Sequence, residues 1–483
     1  MNTIYDLMSI TIPLHRQTGI PGKVAGALLV AKNIVDCVPV LHMPAGCAYH
    51  RRLVPFNPSI ILKHAPCTNL TEADAIFGGE EKLTSTLIAV YRKYRPAMIM
   101  VITGCTPDIM GDDIDACIER ARKEGVKCPI VTVGDVKFYL PARGINAALI
   151  ALTKQLMENG NDQHDESLNI FSLAIHGGGL GFKELKNLVE EAGANVNHAY
   201  LCRNTTRDLK EFPRAKLLIA DYATQWTRFV EQHLGMKVIT LHKLGTSKLR
   251  NLFDGCLVGF DGTSRLLHEV GKALNMEGEF EEVTRRRETQ FRDQLENLKR
   301  KMGEVKLALP MQLYVSDIGW LALRDLGVKC ELLIARTKTM EAEYHESDIK
   351  RIIDLNLKTI EEVQGYQPEL LINPTPEEVV EKSKKLNVDA VVCGYSENPV
   401  KYLSEGIKAI YTPLLNYNLK AGYVAALSAY EKFAAIITSP SFYKRPLLSL
   451  LSYGRGFRED LSSFWSDMCR FFYEIYHIKQ PIE

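Results

Sequence analysis

Of the chain's eleven cysteines, three sit where a thiol could do chemistry. Cys47 follows Val40-Leu-His-Met-Pro-Ala-Gly46, and Cys105 follows Val101-Ile-Thr-Gly104. Each comes just after an apolar strand, in a loop that carries glycine. Glycine lets the backbone approach a bulky group closely, and strand ends are where α/β proteins bind ligands. Cys67, in Ala65-Pro66-Cys67-Thr68, is a third loop thiol between them. The helix expected to start near Asp112 would direct positive partial charge toward an anionic thiolate or cluster. On chemistry alone, the three are either a shared metal site or three unrelated loop cysteines. The remaining thiols read as structural. Cys37, Cys128, Cys330 and Cys393 lie in or beside apolar strands, where a thiol behaves as a small hydrophobe. Cys117, Cys202, Cys256 and Cys469 have no partner at metal spacing.

A second candidate is the run His176-Gly-Gly-Gly179-Leu-Gly181-Phe182, between a strand and a helix. The dinucleotide spacing G-x-G-x-x-G fails, because Phe182 stands where the third glycine belongs. No acidic residue ends the following strand at Ala199-Tyr200-Leu201. The loop is either a tight βα turn or a glycine-rich backbone beside a bound cofactor or substrate. No Walker A, H-E-x-x-H, C-x-x-C or G-x-S-x-G sequence occurs, so any ATP is handled by another protein.

The elements that must position these residues follow one pattern: a β-branched run, a glycine-bearing turn, then an amphipathic helix. Strands are expected at 97–103, 128–133, 168–175, 217–220, 237–240, 306–309, 331–334, 369–372, 390–393 and 409–411. Helices are expected from Asp112 to Arg122, Asn146 to Met157 and Lys183 to Ala192. Buried strands alternating with helices argue for parallel sheets with right-handed crossovers, and this many strands argue for several doubly wound units. The polar stretch Glu158–Asp165 reads as a linker. Gly278 to Gly303 reads as a charged helix with Phe291, Leu295 and Leu298 on one stripe. Its Arg285-Arg286-Arg287 reads as a solvated face interleaved with acids. The tail from Ala421 is helical and aromatic, with Phe464, Trp465, Phe471, Phe472, Tyr473 and Tyr476 spaced for packing on the body or a sister subunit.

Composition sets the class. With 46% hydrophobic and 24% charged residues, a sizeable core is expected and disorder is not. Lys+Arg 59 against Asp+Glu 58 gives no electrostatic case for nucleic acid or an anionic membrane. No apolar run approaches ~18 residues, which excludes a spanning helix. No start-of-chain pattern reads as a signal peptide. Few cysteines, odd in number, exclude a disulfide scaffold. The expectation is a soluble, cytoplasmic protein in a reducing compartment.

Three ordered blocks then carry a resemblance. Met43-Pro-Ala-Gly-Cys47-Ala-Tyr-His50 resembles the G-P-x-G-C-x-Y motif of the nitrogenase component 1 family. Leu70-Thr-Glu-Ala-Asp-Ala-Ile-Phe-Gly-Gly-Glu-Glu-Lys-Leu83 is similar to its T-E-x-D-x-V-F-G-G-x-x-K-L block. Gly104-Cys105-Thr-Pro-Asp-Ile-Met-Gly-Asp-Asp-Ile114 resembles its C-x-x-x-x-I-G-D-D-[IL] block. The family includes nitrogenase molybdenum–iron protein subunits, their cofactor-assembly relatives, the dark protochlorophyllide and chlorophyllide reductases and the nickel-sirohydrochlorin reductive cyclase. The resemblance implies three Rossmann-like domains, here 1–165, 166–303 and 304–420, followed by a helical tail over 421–483. It implies a [4Fe–4S] or related iron–sulfur cluster bridging two subunits, with Cys47 and Cys105 on ligand positions beside Gly46 and Gly104. Cys67 falls where some members have a cysteine beside the cluster. It implies a separate ATP-dependent iron protein that docks and delivers electrons; the charge balance and the lack of an apolar span leave no nucleic-acid or membrane partner expected.

The departures are as informative. Around Thr18-Gly-Ile-Pro21-Gly22 there is no upstream ligand cysteine, and Met43 replaces a glycine. Asp221, in Ala215-Lys-Leu-Leu-Ile-Ala-Asp221-Tyr222, occupies the place of the cysteine that holds the molybdenum cofactor. The cofactor's histidine is missing from Tyr411-Thr-Pro-Leu-Leu-Asn-Tyr417. Carboxylate is a poor substitute for thiolate on a soft iron, so dinitrogen reduction by this chain alone is not expected. A [4Fe–4S] cluster takes four thiolates. Cys47 and Cys105 with their symmetry mates would complete a homodimer, and a heterodimer or heterotetramer with another component 1 subunit fits nearly as well. The expected function is a reductase component that receives electrons and reduces a bound substrate, with Asp221 and His176 as candidate catalytic groups. The alternatives are a scaffold for a nitrogenase-type cofactor and the non-catalytic partner of a heteromeric reductase. A tetrapyrrole suits the missing cofactor ligands, whereas a small sulfur or nitrogen substrate requires a second metal centre.

Overall fold

The computed structural model describes residues 23–52, 65–134, 141–157, 164–171, 180–200, 203–243, 249–315, 317–338, 340–341, 344–393, 399–411 and 421–438. Along these, the strands are β1 (Cys37–His42), β2 (Met98–Thr103), β3 (Ile130–Val133), β4 (His164–Phe171), β5 (Asn195–Tyr200) and β6 (Ala215–Tyr222). They continue with β7 (Lys237–His242), β8 (Lys306–Pro310), β9 (Lys329–Ala335), β10 (Glu369–Ile372), β11 (Ala390–Cys393) and β12 (Lys408–Tyr411). Three sheets result, ordered β1-β2-β3, β5-β4-β6-β7 and β10-β9-β8-β11-β12. The pairings of β2 with β1 and β3, of β4 with β5 and β6, of β8 with β9 and β11, of β9 with β10 and of β11 with β12 are all parallel. This is the α/β class that alternating apolar runs and amphipathic segments predict, with parallel sheets flanked by helices.

The chain forms two compact units. The first lies within Thr18–Gly177 and Ala194–Ile239, the second within Gly178–Gly193 and Thr240–Glu483. In the first, β2 is buried along its whole length, and its side chains alternate between two cores. Met98, Met100 and Ile102 join one core, while Ile99 and Val101 join Leu83, Leu87 and Ile118 in the other. That is the period of two expected of a strand covered on both faces. Each such side chain contributes about 1.5–3 kcal/mol on burial. The first of these cores is continuous with Phe171, Phe212, Leu218 and Trp226 of the four-stranded sheet and its helices. Trp226 is fixed there by its ring nitrogen on Thr153 Oγ1 (3.0 Å) and its backbone N–H on Asn146 Oδ1 (3.0 Å).

In the second unit, Ala308, Leu332, Ile334, Val391 and Cys393 pack with Val379 and Tyr402, while Ile349 and Ile352 join a separate cluster with Ala335. The helix Glu277–Met302 buries Phe280, Val283, Leu295, Leu298 and Met302 along one stripe. Phe291 is half-buried and stacks on Tyr423. Arg286 and Arg287 both pair with Glu191, so this part of the arginine run ties two helices together. The helix Tyr423–Thr438 opens the expected helical tail, and Glu184 accepts the backbone N–H groups of Val424 and Ala425 at its start (both 2.8 Å). Residues 439–483, with the aromatic run from Phe464 to Tyr476, lie outside the described residues. Among the described residues, no helix is long and apolar enough to cross a membrane.

Some boundaries differ from the sequence reading. The stretch read as a linker to Asp165 is already strand at His164, because His164 pairs with Ala215 of β6. The helix expected from Asn146 begins at Pro141, since proline suits a first helical turn. That helix packs on Lys23–Lys32 at Gly144, where a Cβ would lie 1.8 Å from the carbonyl oxygen of Lys23. Only glycine permits this approach, so Gly144→Ala must push the two helices apart. It is expected to cost about 1–3 kcal/mol, read as a lower urea midpoint at unchanged slope.

Candidate functional site

The strand ends decide where the three loop thiols lie. β1 and β2 are parallel, and their last paired residues are His42 and Thr103, so both chains leave the sheet at one edge. After β1, Met43 and Pro44 lead into the helix Ala45–Arg52, whose third residue is Cys47. After β2, Gly104 leads into the short helix Cys105–Met110. Both thiols were expected in loops; both instead sit in the first turn of a helix. Pro107 is tolerated there because first-turn N–H groups have no intrahelical partner. The segment carrying Cys67 lies along β1, with bridges Leu41 to Cys67 and Pro44 to Leu70. Leu41 N–H donates to the Pro66 carbonyl (2.8 Å) and Thr68 N–H to the Leu41 carbonyl (3.0 Å).

All three thiols therefore share one sheet edge. Cys47 is exposed, and Cys67 and Cys105 are half-buried. The Cys67 thiol donates to the Met43 carbonyl (3.2 Å) and accepts the Asn69 N–H (3.3 Å), so its own chain occupies it in both roles. Among the described residues, no three His, Cys, Asp or Glu side chains gather as a metal site. Cys47, Cys67 and Cys105 thus do not form a complete donor set within one chain. Gly104 N–H donates to the His42 carbonyl (2.9 Å), and a Cβ on Gly104 would meet Met43 Cβ at 2.9 Å. Glycine at this position lets the two strand ends touch. Gly46 has no such neighbour.

Beneath this edge lies a buried polar network that the sequence reading did not anticipate. His42 is fully buried. Its Nε2 lies 2.9 Å from Asp112 Oδ2 and its Nδ1 3.0 Å from Thr68 Oγ1. Thr68 Oγ1 also accepts the Met43 N–H (3.2 Å), which leaves its proton for Nδ1. The tautomer assigned by this network carries its proton on Nε2 and donates it to Asp112. Asp112 also accepts the Gly79 N–H at 3.2 Å. Burial pushes the His42 pKa down against the pull of Asp112, consistent with a neutral ring. Asp112 was read as a helix opener. Asp113 does that work, capping Ala116 N–H (2.9 Å), while Asp112 turns inward. The signal was present: an Asp-Asp pair needs only one residue for a cap.

Near Cys105, three large apolar side chains stand in water among acidic neighbours. Ile76, Phe77 and Ile109 are 76%, 86% and 79% exposed, on two short helices, Glu72–Phe77 and Cys105–Met110, that touch each other. Asp74 braces the first of them, accepting Thr71 N–H (2.5 Å), Thr71 Oγ1–H (2.6 Å) and Lys82 Nζ (2.5 Å). Lys82 and Thr71 hold the Asp74 carboxyl down at about 2.

The other candidates lie elsewhere. Asp221 is buried within β6. His176, Gly177–Gly179 and residues 412–420 are outside the described residues, as are Cys202 and Cys469. Of the described thiols read as structural, Cys117, Cys256, Cys330 and Cys393 are buried and Cys37 and Cys128 half-buried, and burial pushes Cys37, Cys117, Cys128, Cys256 and Cys330 up.

The His42 shift gives the edge a pH dependence. Its folded pKa lies below the ordinary value of about 6.5, so the unfolded chain binds the proton more readily below that pH. The stabilisation is complete above about pH 6.5 and is lost as pH falls through the folded pKa. Urea midpoints measured from about pH 7.5 to about pH 5 should therefore fall with pH, and His42→Gln should flatten that part of the slope.

Residues 23–437 match the family model described as nitrogenase component 1 type oxidoreductase. The chain is 24% identical over 394 residues to the nitrogenase iron-molybdenum cofactor biosynthesis protein NifE of Methanococcus maripaludis, covering 76% of this chain and 78% of that one. It is 24% identical over 430 residues to a nitrogenase molybdenum-iron protein alpha chain of Methanothermobacter thermautotrophicus, covering 80% and 86%. A solved structure described as Nitrogenase Cp1 at pH 5 shares the fold with a TM-score of 0.61 at 20% identity, over 90% of each chain. With the family model spanning nearly all the described residues, the chain belongs to the nitrogenase component 1 type oxidoreductase family.

Proposed function

We propose that this chain is an iron–sulfur-bearing reductase component that takes electrons from a separate ATP-dependent iron protein. The observation that carries the reading is the placement of Cys47 and Cys105 at the ends of neighbouring parallel strands. Two thiolates per chain suit half of a four-thiolate cluster, with the second subunit supplying the rest. When bound, such a cluster supplies one-electron transfer. Cys47 and Cys105 hold it, and Gly104 sets the approach of their segments. The exposed Ile76, Phe77 and Ile109 beside the thiols suit a docking partner, since a monomer rarely leaves large apolar residues together in water. A cytoplasmic location and three Rossmann-like domains, one for each sheet, complete the proposal.

A second reading has its own support. A relative whose name is that of a cofactor biosynthesis protein spans most of this chain, and buried Asp221 stands where the resemblance expects a cofactor thiolate. On that reading the chain carries a maturing cluster and turns over no substrate.

Anaerobic iron and sulfide analysis tests the cluster: Cys47→Ala and Cys105→Ala should each lose most of the iron and the visible absorption. Full iron in both variants sinks the assignment. Steady-state reduction with an iron protein and ATP separates reductase from scaffold, because only the reductase oxidises its donor continuously. Phe77→Ala should weaken the iron protein's binding by about 2 kcal/mol, roughly thirtyfold, with iron content unchanged.

A further inference from the structure

We infer that the buried His42–Asp112 pair is a positioning pair for Cys47 and Cys105, fixing the strand ends that hold the cluster thiols. The inference rests on the cluster reading above. Three segments meet at this pair. His42 ends β1, the strand that leads to Cys47, and its carbonyl accepts the N–H of Gly104, the residue before Cys105. Thr68, next to Cys67, bonds the ring at Nδ1 and the Met43 N–H through the same oxygen. Asp112 holds the ring at Nε2 and reaches across to the Gly79 N–H. Glu80 then receives the Asp113 N–H (3.1 Å), so the turn before one helix is locked to the cap of another.

A buried imidazole and carboxylate are costly to desolvate, and apolar side chains of similar volume would fill the space more cheaply. What the pair adds is direction. Each of its hydrogen bonds has one geometry, whereas an apolar contact tolerates sliding. The edge it fixes is the one where thiols a few ångströms out of place would ligate a cluster differently, as outer-shell partners do in other metal sites. His42 and Asp112 act through the backbone and are not themselves ligands.

The test compares anaerobically purified wild type with His42→Leu, His42→Gln, Asp112→Asn and Thr68→Val. Iron and sulfide per subunit, the electron paramagnetic resonance spectrum of the reduced protein and its midpoint potential are read for each. His42→Leu and Asp112→Asn should retain iron yet shift both the spectrum and the potential. His42→Gln keeps a donor for Asp112 and should return both toward wild type. Thr68→Val is isosteric and removes only the hydroxyl that seats the ring, so it should shift the same signals even if His42→Leu does not fold. Unchanged spectra and potentials in Asp112→Asn and Thr68→Val at full iron overturn the positioning role. A wild type without iron overturns the cluster reading and this inference with it, which separates the two failures.

Discussion

A histidine and an aspartate share one proton out of reach of water, and the edge of the three-stranded sheet is organised around that bond. His42 and Asp112 lie seventy positions apart in the chain. Their contact joins the end of β1 to the segment that follows β2, and Asp112 also takes the Gly79 N–H. Neither group is comfortable alone in an apolar interior: removing one partner leaves a buried polar atom of the other unsatisfied, which costs about 1–3 kcal/mol. The bond therefore makes the three sequence blocks one cooperative unit.

The rest of the first unit serves that edge by being rigid. β2 sends alternate side chains into two cores, so it cannot slide by one residue without exchanging its whole apolar set. The register of β1 against β2 is fixed in consequence, and with it the relation of Cys47 to Cys105. The second unit uses a different device. There Arg324 and Asp325 sit in contact at a helix crossing, with Tyr430 donating to the same carboxylate that accepts the Phe260 N–H (2.7 Å). Charge is buried in both units, and in the first it lies at the strand end that leads to Cys47.

The fold class was legible because its signal is local. Runs such as 98–102 and Ala390–Cys393 are apolar without interruption, as a strand covered on both faces favours. Cys47 and Cys105 were legible as a pair because glycine precedes each. Their helical setting was not, since glycine and proline beside each cysteine weigh against a helix. The role of His42 was illegible for a deeper reason. A histidine at the end of an apolar strand looks the same in sequence whether its partner is water, a backbone carbonyl or a carboxylate seventy residues away. The same holds for Cys67, whose thiol is taken up by the Met43 carbonyl and Asn69 N–H of its own edge.

The braced helix Glu72–Phe77 has a consequence for the life of the isolated chain. Thr71 and Lys82 brace Asp74 at its start, and Phe77 at its end lies 86% exposed. A side chain fixed in water this way is adhesive at all times, to strangers as much as to its proper counterpart. Exposed apolar area of this kind is adhesive surface, and a chain that carries it gains solubility when the area is covered.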